Sequence, residues 1–244
     1  MLSVSTALER LRDCLSDDFP PSSGTRIFDI PFPLHDAFDP LLWCGHQAQW
    51  PQFYWLQRNG DEELAALGAV KTFPSLAGAH DFLQRQGLAD LRICGLNAFN
   101  PQEGRLFLPR LEWRRVGGKA TLRLLLNSET SLREDAIAAQ AFLQALTPDQ
   151  AQPAALPPVL SEQHSPDYPQ WHALIEQATQ AIAAGEMDKV VLARATDVQF
   201  AAPPDPLAIV AASRRSNHRC FHFMMAFNAC LLYTSPSPRD RQKS

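Results

Sequence analysis

The sequence predicts an α+β protein, with antiparallel strands in most of its first half and helices alternating with strands in its second. Several short apolar runs, among them PQFYWLQ and KATLRLLLN, have the length and composition of strands. The Asn59-Gly60 and Gly117-Gly118 pairs separate neighbouring runs and suit tight hairpin turns, which need positive backbone angles. Stretches with apolar residues at helical spacing flank these runs. The combination indicates a meandering sheet accompanied by helices.

Residues 1–148 are predicted to form a sheet-rich N-terminal subdomain. It opens with an amphipathic helix over residues 4–15, in which Leu8, Leu11 and Leu15 share one face. A Pro-rich stretch ends that helix. Strand signals dominate the next hundred or so residues, and a second helix follows in SLREDAIAAQAFLQALT.

A Pro-rich linker over residues 149–169 is predicted to separate this subdomain from a second one over residues 170–228. The second subdomain begins with the helix WHALIEQATQAIAAGE, which Gly185 is expected to end. A strand is expected from Lys189 onward, followed by a helix containing AASRR and the strand CFHFMMAF. Residues 229–244 are mostly polar after their first few positions, and we expect them to be a disordered, non-native tail.

Composition excludes several classes of protein. The chain has 244 residues, is 45% apolar and carries a net charge of -4, so it is expected to be globular and not to bind nucleic acid. It contains no apolar run long enough to span a membrane and no uninterrupted apolar core of a signal peptide. The five cysteines are odd in number and lack CxxC spacing, which favours reduced thiols in the cytoplasm.

Lys189 is the candidate catalytic residue. In the expected strand it shares a face with Ala193 and Ala195, whose small side chains would leave room for a ligand beside the ammonium. The competing interpretation is a solvated lysine at a strand terminus, which is the commoner role of such a residue. The residue pattern alone favours the solvated terminus.

His218, Cys220 and His222 are the one set of residues whose expected alternation on a strand could suggest zinc. There is no second ligand cluster, so ordinary strand patterning is the preferred interpretation. Phosphate-binding loops, dinucleotide fingerprints, HExxH and GxSxG motifs do not occur in the sequence. Phosphate-loop, zincin and hydrolase-elbow functions are therefore not expected.

The stretch GEMDKVVLARATDVQF, with the helix before it and AASRR and CFHFMMAF after it, closely resembles the chorismate-utilising enzymes. Within that group, IFDIPFPLHDAFDPLLW, PQFYWLQRNGDEELAALGA and LPRLEWRRVGGKATLRL resemble the isochorismate synthases of the menaquinone pathway. The resemblance runs from residue 1 to about Phe227.

This resemblance implies a fold, a reaction and a role for one residue. The family fold packs two antiparallel sheets together inside a shell of helices. The reaction converts chorismate to isochorismate: water adds at ring carbon 2 and the hydroxyl at carbon 4 departs, while Mg²⁺ holds a substrate carboxylate. The lysine of KVVLAR is the family's general base, and it corresponds to Lys189. No residue of this chain is assigned to the metal or to another cofactor.

Two other functions stay open at this point. Salicylate synthases share the lysine, whereas anthranilate and aminodeoxychorismate synthases, which use ammonia, do not carry it. A non-catalytic binding module that retains the N-terminal sheet is the third possibility. Oligomeric state is not indicated by the sequence.

The resemblance ends before the rest of the family pattern. The expected GSSPERL-like and TEALAGT-like segments, with the general-acid glutamate and the glutamates that hold Mg²⁺, do not appear, and NACLLYTSPSPRDRQKS follows instead. We therefore expect the chain to be the N-terminal half of the enzyme, joined to foreign sequence after about residue 228. Expressed as written, it is expected to be poorly soluble and inactive, because CFHFMMAF would be an uncovered apolar strand.

Overall fold

The computed structural model describes residues 3–34, 38–87, 90–100 and 102–228, together with the backbone of residues 231–237. The chain divides into two compact units. Unit 1 comprises Met1–Pro153 and Pro206–Ser244, and unit 2 comprises Ala154–Asp205. None of the helices within the described ranges is long and apolar enough to cross a membrane.

Six helices and ten strands are interspersed along the described part of the chain. The helices are α1 (Val4–Cys14), α2 (Pro40–His46), α3 (Leu76–Gln86), α4 (Leu132–Gln144), α5 (Tyr168–Ala183) and α6 (Pro206–Ser216). The strands are β1 (Gly24–Phe32), β2 (Gln52–Leu56), β3 (Glu62–Phe73), β4 (Cys94–Asn97), β5 (Gly104–Val116), β6 (Lys119–Ser128), β7 (Val159–Ser165), β8 (Ala195–Phe200), β9 (Phe221–Asn228) and β10 (Leu231–Ser237). The prediction of an α+β protein with antiparallel sheets is confirmed.

Unit 1 is built on one eight-stranded antiparallel sheet. Its strand order is β1-β6-β5-β3-β2-β9-β10, with β4 paired to β5. Strand β9 pairs with β2, so that Trp55 lies opposite Phe223. This pairing joins residues after 206 to the N-terminal sheet, whereas the sequence grouped residues 170–228 together. The reason is that strand pairing is decided by the whole sheet and not by proximity along the chain.

Two hairpin turns lie where the Asn59-Gly60 and Gly117-Gly118 pairs predict them. Gly60 has a φ of 75° between β2 and β3, and Gly117 and Gly118 have φ values of 53° and 79° between β5 and β6. The expectation of a positive angle at Asn59 is wrong, because all described residues with positive φ are glycines. Asn59 instead contacts Asp61 through its side chain, which stabilises the turn without a left-handed residue.

One face of the sheet carries the largest core cluster. Helices α1, α2, α4 and α6 all contribute buried residues to it. Trp113 and Leu124 from the central strands are almost fully buried there, at 2% and 0% exposure. Burial of that much apolar surface is the main stabilising contribution to unit 1.

Helices α2 and α3 were not predicted, although their starts carry local signals. Asp39 caps α2 by accepting hydrogen bonds from the backbone of Leu41 and Leu42, and proline occupies the first helical position. Ser75 caps α3 in the same way. Both helices are short, and each lies inside a stretch otherwise rich in strand-forming residues, which hid the helical period.

Unit 2 contains helix α5 and a two-stranded antiparallel sheet of β7 and β8. Asp167 and Gln170 form a reciprocal capping box at the start of α5. No residue of α5 is buried, although the helix is apolar along one face. Ile175 and Ile182, for example, are each 41% exposed. Unit 2 also includes β7, which lies inside the stretch predicted to be a linker.

The chain after Asn228 differs from the sequence prediction in one respect. Strand β10 runs antiparallel to β9, within the segment for which polar composition predicted disorder. An exposed strand edge offers unpaired backbone groups to any extended neighbour, whatever its side chains, so composition is a weak guide there.

Candidate functional site

The segment that carries Lys189 begins where helix α5 ends. The backbone N–H of Gly185 donates to Ile182 O at 3.1 Å and that of Glu186 donates to Ala181 O at 3.0 Å, while Gly185 has a φ of 75°. This is a Schellman motif, which needs a residue that tolerates left-handed backbone. The prediction that Gly185 ends the helix is confirmed, and the motif turns the chain toward Lys189.

Lys189 lies in a segment without regular secondary structure and not in a strand. Strand β8 begins at Ala195, whose partner Ser165 is the last residue of β7. Helix α5 starts at Tyr168, so β7 has no further residues to pair with 189–194. The predicted strand start at Lys189 is therefore wrong, and the face that it was expected to share with Ala193 does not form.

The surroundings of Lys189 in unit 2 are open. Its side chain is exposed, and no hydrogen bond or ion pair joins it to another residue in the described part of the chain. The following residues are apolar yet exposed, with Val190 at 40% and Val191 at 80%. Arg194 lies over the ring of Trp171, 6.0 Å from its centroid. Unit 2 by itself supplies a lysine beside apolar surface, but not an enclosed site.

The arrangement of histidines and cysteine considered for zinc does not form. Strand β9 begins at Phe221, so His218 and Cys220 precede it. His222 is buried, and its Nε2 lies 3.0 Å from the carbonyl oxygen of Asn217. Throughout the described ranges, no group of three or more His, Cys, Asp or Glu side chains is placed to hold a metal ion.

A buried polar network that the sequence did not indicate connects α6 to the sheet in unit 1. Arg214 donates to both carboxylate oxygens of Asp39 and, at 2.9 Å, to the hydroxyl of Tyr54. Tyr54 is fully buried and donates to Glu63 Oε1 at 2.6 Å. Arg115 donates to the other oxygen of Glu63 at 2.9 Å. Five side chains, from the N-cap of α2 and from β2, β3, β5 and α6, thus satisfy one another.

The same network fixes the protonation of its tyrosine. Burial, reinforced by the neighbouring Glu63 carboxylate, raises the pKa of Tyr54 well above its usual value. The phenol therefore stays a hydrogen-bond donor through the physiological range. The only available sequence signal was Arg214, one of the two arginines of AASRR, which follows the apolar face of a helix; this points to a buried partner but does not identify it.

The fold and the described segments define a mixed helix and antiparallel-sheet protein of the chorismate-utilising type. The family model for chorismate binding enzymes matches residues 96–239, which is more than half of the chain. The chain belongs to this family.

Relatives and a solved structure carry the comparison further. The chain is 55% identical over 239 residues to the isochorismate synthase MenF of Escherichia coli K12, covering 98% of this chain and 56% of the relative. It is 29% identical over 202 residues to MenF of Pasteurella multocida Pm70, covering 83% of this chain and 46% of that protein.

The solved structure of MenF, the menaquinone-specific isochorismate synthase from Escherichia coli, superposes with a TM-score of 0.84 at 54% identity. The match covers 97% of this chain and 56% of that one. The chain therefore spans about half the length of the relatives that it matches.

Proposed function

We propose that this chain is the N-terminal part of an isochorismate synthase whose complete form converts chorismate to isochorismate on the route to menaquinone. The observation that carries the proposal is the 55% identity to MenF along 98% of the chain, the Lys189 segment included. In the reaction, a C–O bond forms between water and ring carbon 2, the ring double bonds shift, and the C–O bond at carbon 4 breaks. Nothing is oxidised or reduced.

Lys189 is proposed as the general base. Its neutral amine would take a proton from the water whose oxygen attacks carbon 2. Such a role requires the amine to be shielded from solvent or placed near another cation, because a free lysine stays charged at neutral pH. Lys189 is exposed in unit 2. The apolar side chains beside it support a site that becomes enclosed only in the complete enzyme.

The acid and the metal are proposed to come from other parts of the complete enzyme. By the family pattern, the general-acid glutamate and the Mg²⁺-holding glutamates belong to segments that follow the position of Phe227. The described residues provide no group suited to hold a metal ion, so by themselves they do not fit Mg²⁺. The four described cysteines are all free, in keeping with the proposed cytoplasmic location.

The proposal is tested by the activity of the protein that the complete gene encodes, with the reading frame continued after Phe227. Purified protein incubated with chorismate should form isochorismate, measured by chromatography. Lys189→Ala should lower kcat by roughly 100-fold or more, the usual contribution of a general base. Lys71→Ala is the matched control: it removes a lysine of unit 1, whereas Lys189 lies in unit 2, and it should keep activity.

Three outcomes decide between the proposed function and the others. Salicylate as the main product would identify a salicylate synthase. Turnover by the 244-residue chain alone would contradict the assignment of acid and metal to other segments. Absence of turnover by the completed gene, with chorismate still bound, would favour a binding module.

A further inference from the structure

A polar groove lies on unit 1 at the hairpin formed by β5 and β6, with β1 and Asp90 at its side. Its volume is about 300 Å³. In β5, Leu111 and Trp113 enter the large core cluster. Alternation along the strand therefore turns Glu112, which lies between them, to the opposite face and into the groove.

Glu112 is largely buried and makes no hydrogen bond to another described residue, while its carboxylate oxygens keep some exposure to the groove. It is only 5% exposed, and no donor among the described residues reaches its carboxylate. A buried carboxylate normally accepts two or more hydrogen bonds, since an isolated charge in a poorly polar environment is costly. Burial accordingly raises the pKa of Glu112 to about 7, against the opposing charges of nearby arginines. The carboxylate therefore has hydrogen-bond acceptor capacity that no described donor uses, and it faces the groove.

The arginines around Glu112 are already engaged by other carboxylates. Arg123 donates to both oxygens of Asp29, at 2.7 and 2.8 Å, and to Asp90 Oδ2 at 2.9 Å. Arg114 donates to Glu62 at 3.0 Å and to Asp90 at 3.2 Å.

Arg92, also bound to Glu62 at 2.7 Å, is the third cation of this group. Three guanidinium groups thus face three other carboxylates, those of Asp29, Glu62 and Asp90. None of the three guanidinium groups forms an ion pair with Glu112 in the described part of the chain, although their charges oppose the rise in its pKa.

Lys119 is the complementary unpaired group. It is exposed at the hairpin, lines the same groove, and has no hydrogen bond or ion pair within the described ranges. It lies opposite Val116, while Glu112 lies opposite Arg123. The two groups are therefore four residues apart along the hairpin, roughly 13 Å between backbones at the usual rise of a strand. Their side chains span part of that distance.

We propose that this groove binds a small zwitterion, with its ammonium on Glu112 and its carboxylate on Lys119. A cationic N–H donor supplies the hydrogen bonds that the buried carboxylate lacks, and a carboxylate neutralises the free ammonium. The positive and negative ends of such a ligand would face the negative Glu112 and the positive Lys119, respectively, so the charges of ligand and groove are complementary. The volume lies at the small end of ligand pockets, which suits an amino-acid-sized molecule and no larger cofactor.

Calorimetric titration of the full chain, held in solution by a fused carrier protein, tests this proposal. The probe is 5-aminopentanoate, whose amine and carboxylate are separated by four methylenes. Pentylamine and pentanoate each carry one of the two groups and should bind about tenfold or more weakly, a loss of about 1.4 kcal/mol per lost end group. Saturable binding of 5-aminopentanoate at up to about 10 mM is the expected result.

Variants localise the binding. Glu112→Gln and Lys119→Ala should each weaken 5-aminopentanoate binding by about tenfold or more. Arg10→Ala, which removes an exposed cation on α1, should leave it unchanged. Lys119 is exposed, so its variant keeps the test valid if Glu112→Gln changes the fold. No binding by the wild-type chain, equal binding of pentylamine, or unchanged affinity in Lys119→Ala would overturn the proposal.

Discussion

Replacing Glu112 by glutamine is expected to stabilise unit 1 above neutral pH and to have little effect in acid. Glutamine keeps the size of the side chain and removes the charge. Glu112 has an ordinary pKa of 4.5 and a folded-state value of about 7. A pKa that is raised on folding contributes stability below the unfolded value, and this contribution is lost as pH rises through the folded value.

The size of the effect follows from the difference between the ordinary and the folded-state pKa of Glu112. Between pH 4.5 and about 7 the folded state binds a proton that the unfolded state has released, so stability falls by about 1.4 kcal/mol per pH unit. The wild-type chain should therefore lose about 3 kcal/mol relative to Glu112→Gln across this range. The carboxylate of Asp90, whose pKa Arg123 lowers, has the opposite pH dependence. It is common to both proteins and cancels in the comparison.

Urea unfolding followed by circular dichroism, at about pH 4.5 and about pH 8.5, measures the difference. Glu9→Gln, an exposed glutamate on α1, is the matched control and should show no such difference between the two pH values. A wild-type chain that is equally or more stable than Glu112→Gln at the higher pH would refute the isolation of this carboxylate. Loss of stability in the variant at both pH values would refute it too.

Three further changes have expected outcomes from the same structure. Tyr54→Phe removes a buried hydroxyl that joins two charged groups and should cost about 2 to 3 kcal/mol of the free energy of unfolding. It should also abolish the loss of stability that the raised pKa of Tyr54 causes as pH rises above about 10. Gly95→Ala would place a Cβ 2.1 Å from Arg105 O at a φ of 137°, and should cost about 3 kcal/mol or more. Leu160→Ser combined with Val191→Thr should reduce aggregation measured by light scattering and leave stability within about 0.5 kcal/mol, because both side chains are exposed.

Each of these changes has a matched control. Tyr168→Phe alters an exposed tyrosine and should be neutral, so an equal cost would contradict the role of the buried network. Gly87→Ala meets no neighbouring atom and should cost only about 1 kcal/mol for its left-handed backbone. Ile137→Thr changes an exposed residue of α4. If it reduces aggregation as much as the double variant, unit 2 is not the main source of association.

Some elements could be predicted because their signals are local. The hairpin at Gly117-Gly118 needs two left-handed residues in a row, and only glycine adopts that backbone without strain. The end of α5 at Gly185 has the same physical basis. Leu8 and Leu11 predict the first helix, because their spacing gives a continuous apolar face. These features depend on residues within one turn or one strand of each other.

Other elements could not be predicted because they depend on distant partners. The expected strand at Lys189 had a suitable apolar run, but β7 has no residue left to pair with it. The grouping of α6 with the N-terminal sheet depends on β9 pairing with β2. Hydrogen bonds between strands are satisfied wherever a partner is available, and the local pattern does not say where that is.

The sequence by itself determined the fold class, the positions of the two hairpin turns and the end of α5, since each is carried by neighbouring residues or by a long run of family resemblance. The assignment of Lys189 as the base stays a prediction from the same resemblance. Only the tertiary structure decided which charges are satisfied. Glu112 looks like any polar residue of a strand, and its isolation arises because Asp29 and Asp90 pair with Arg123 from elsewhere in the chain. Electrostatic compensation depends on distances in space, and the linear order of residues does not fix those distances.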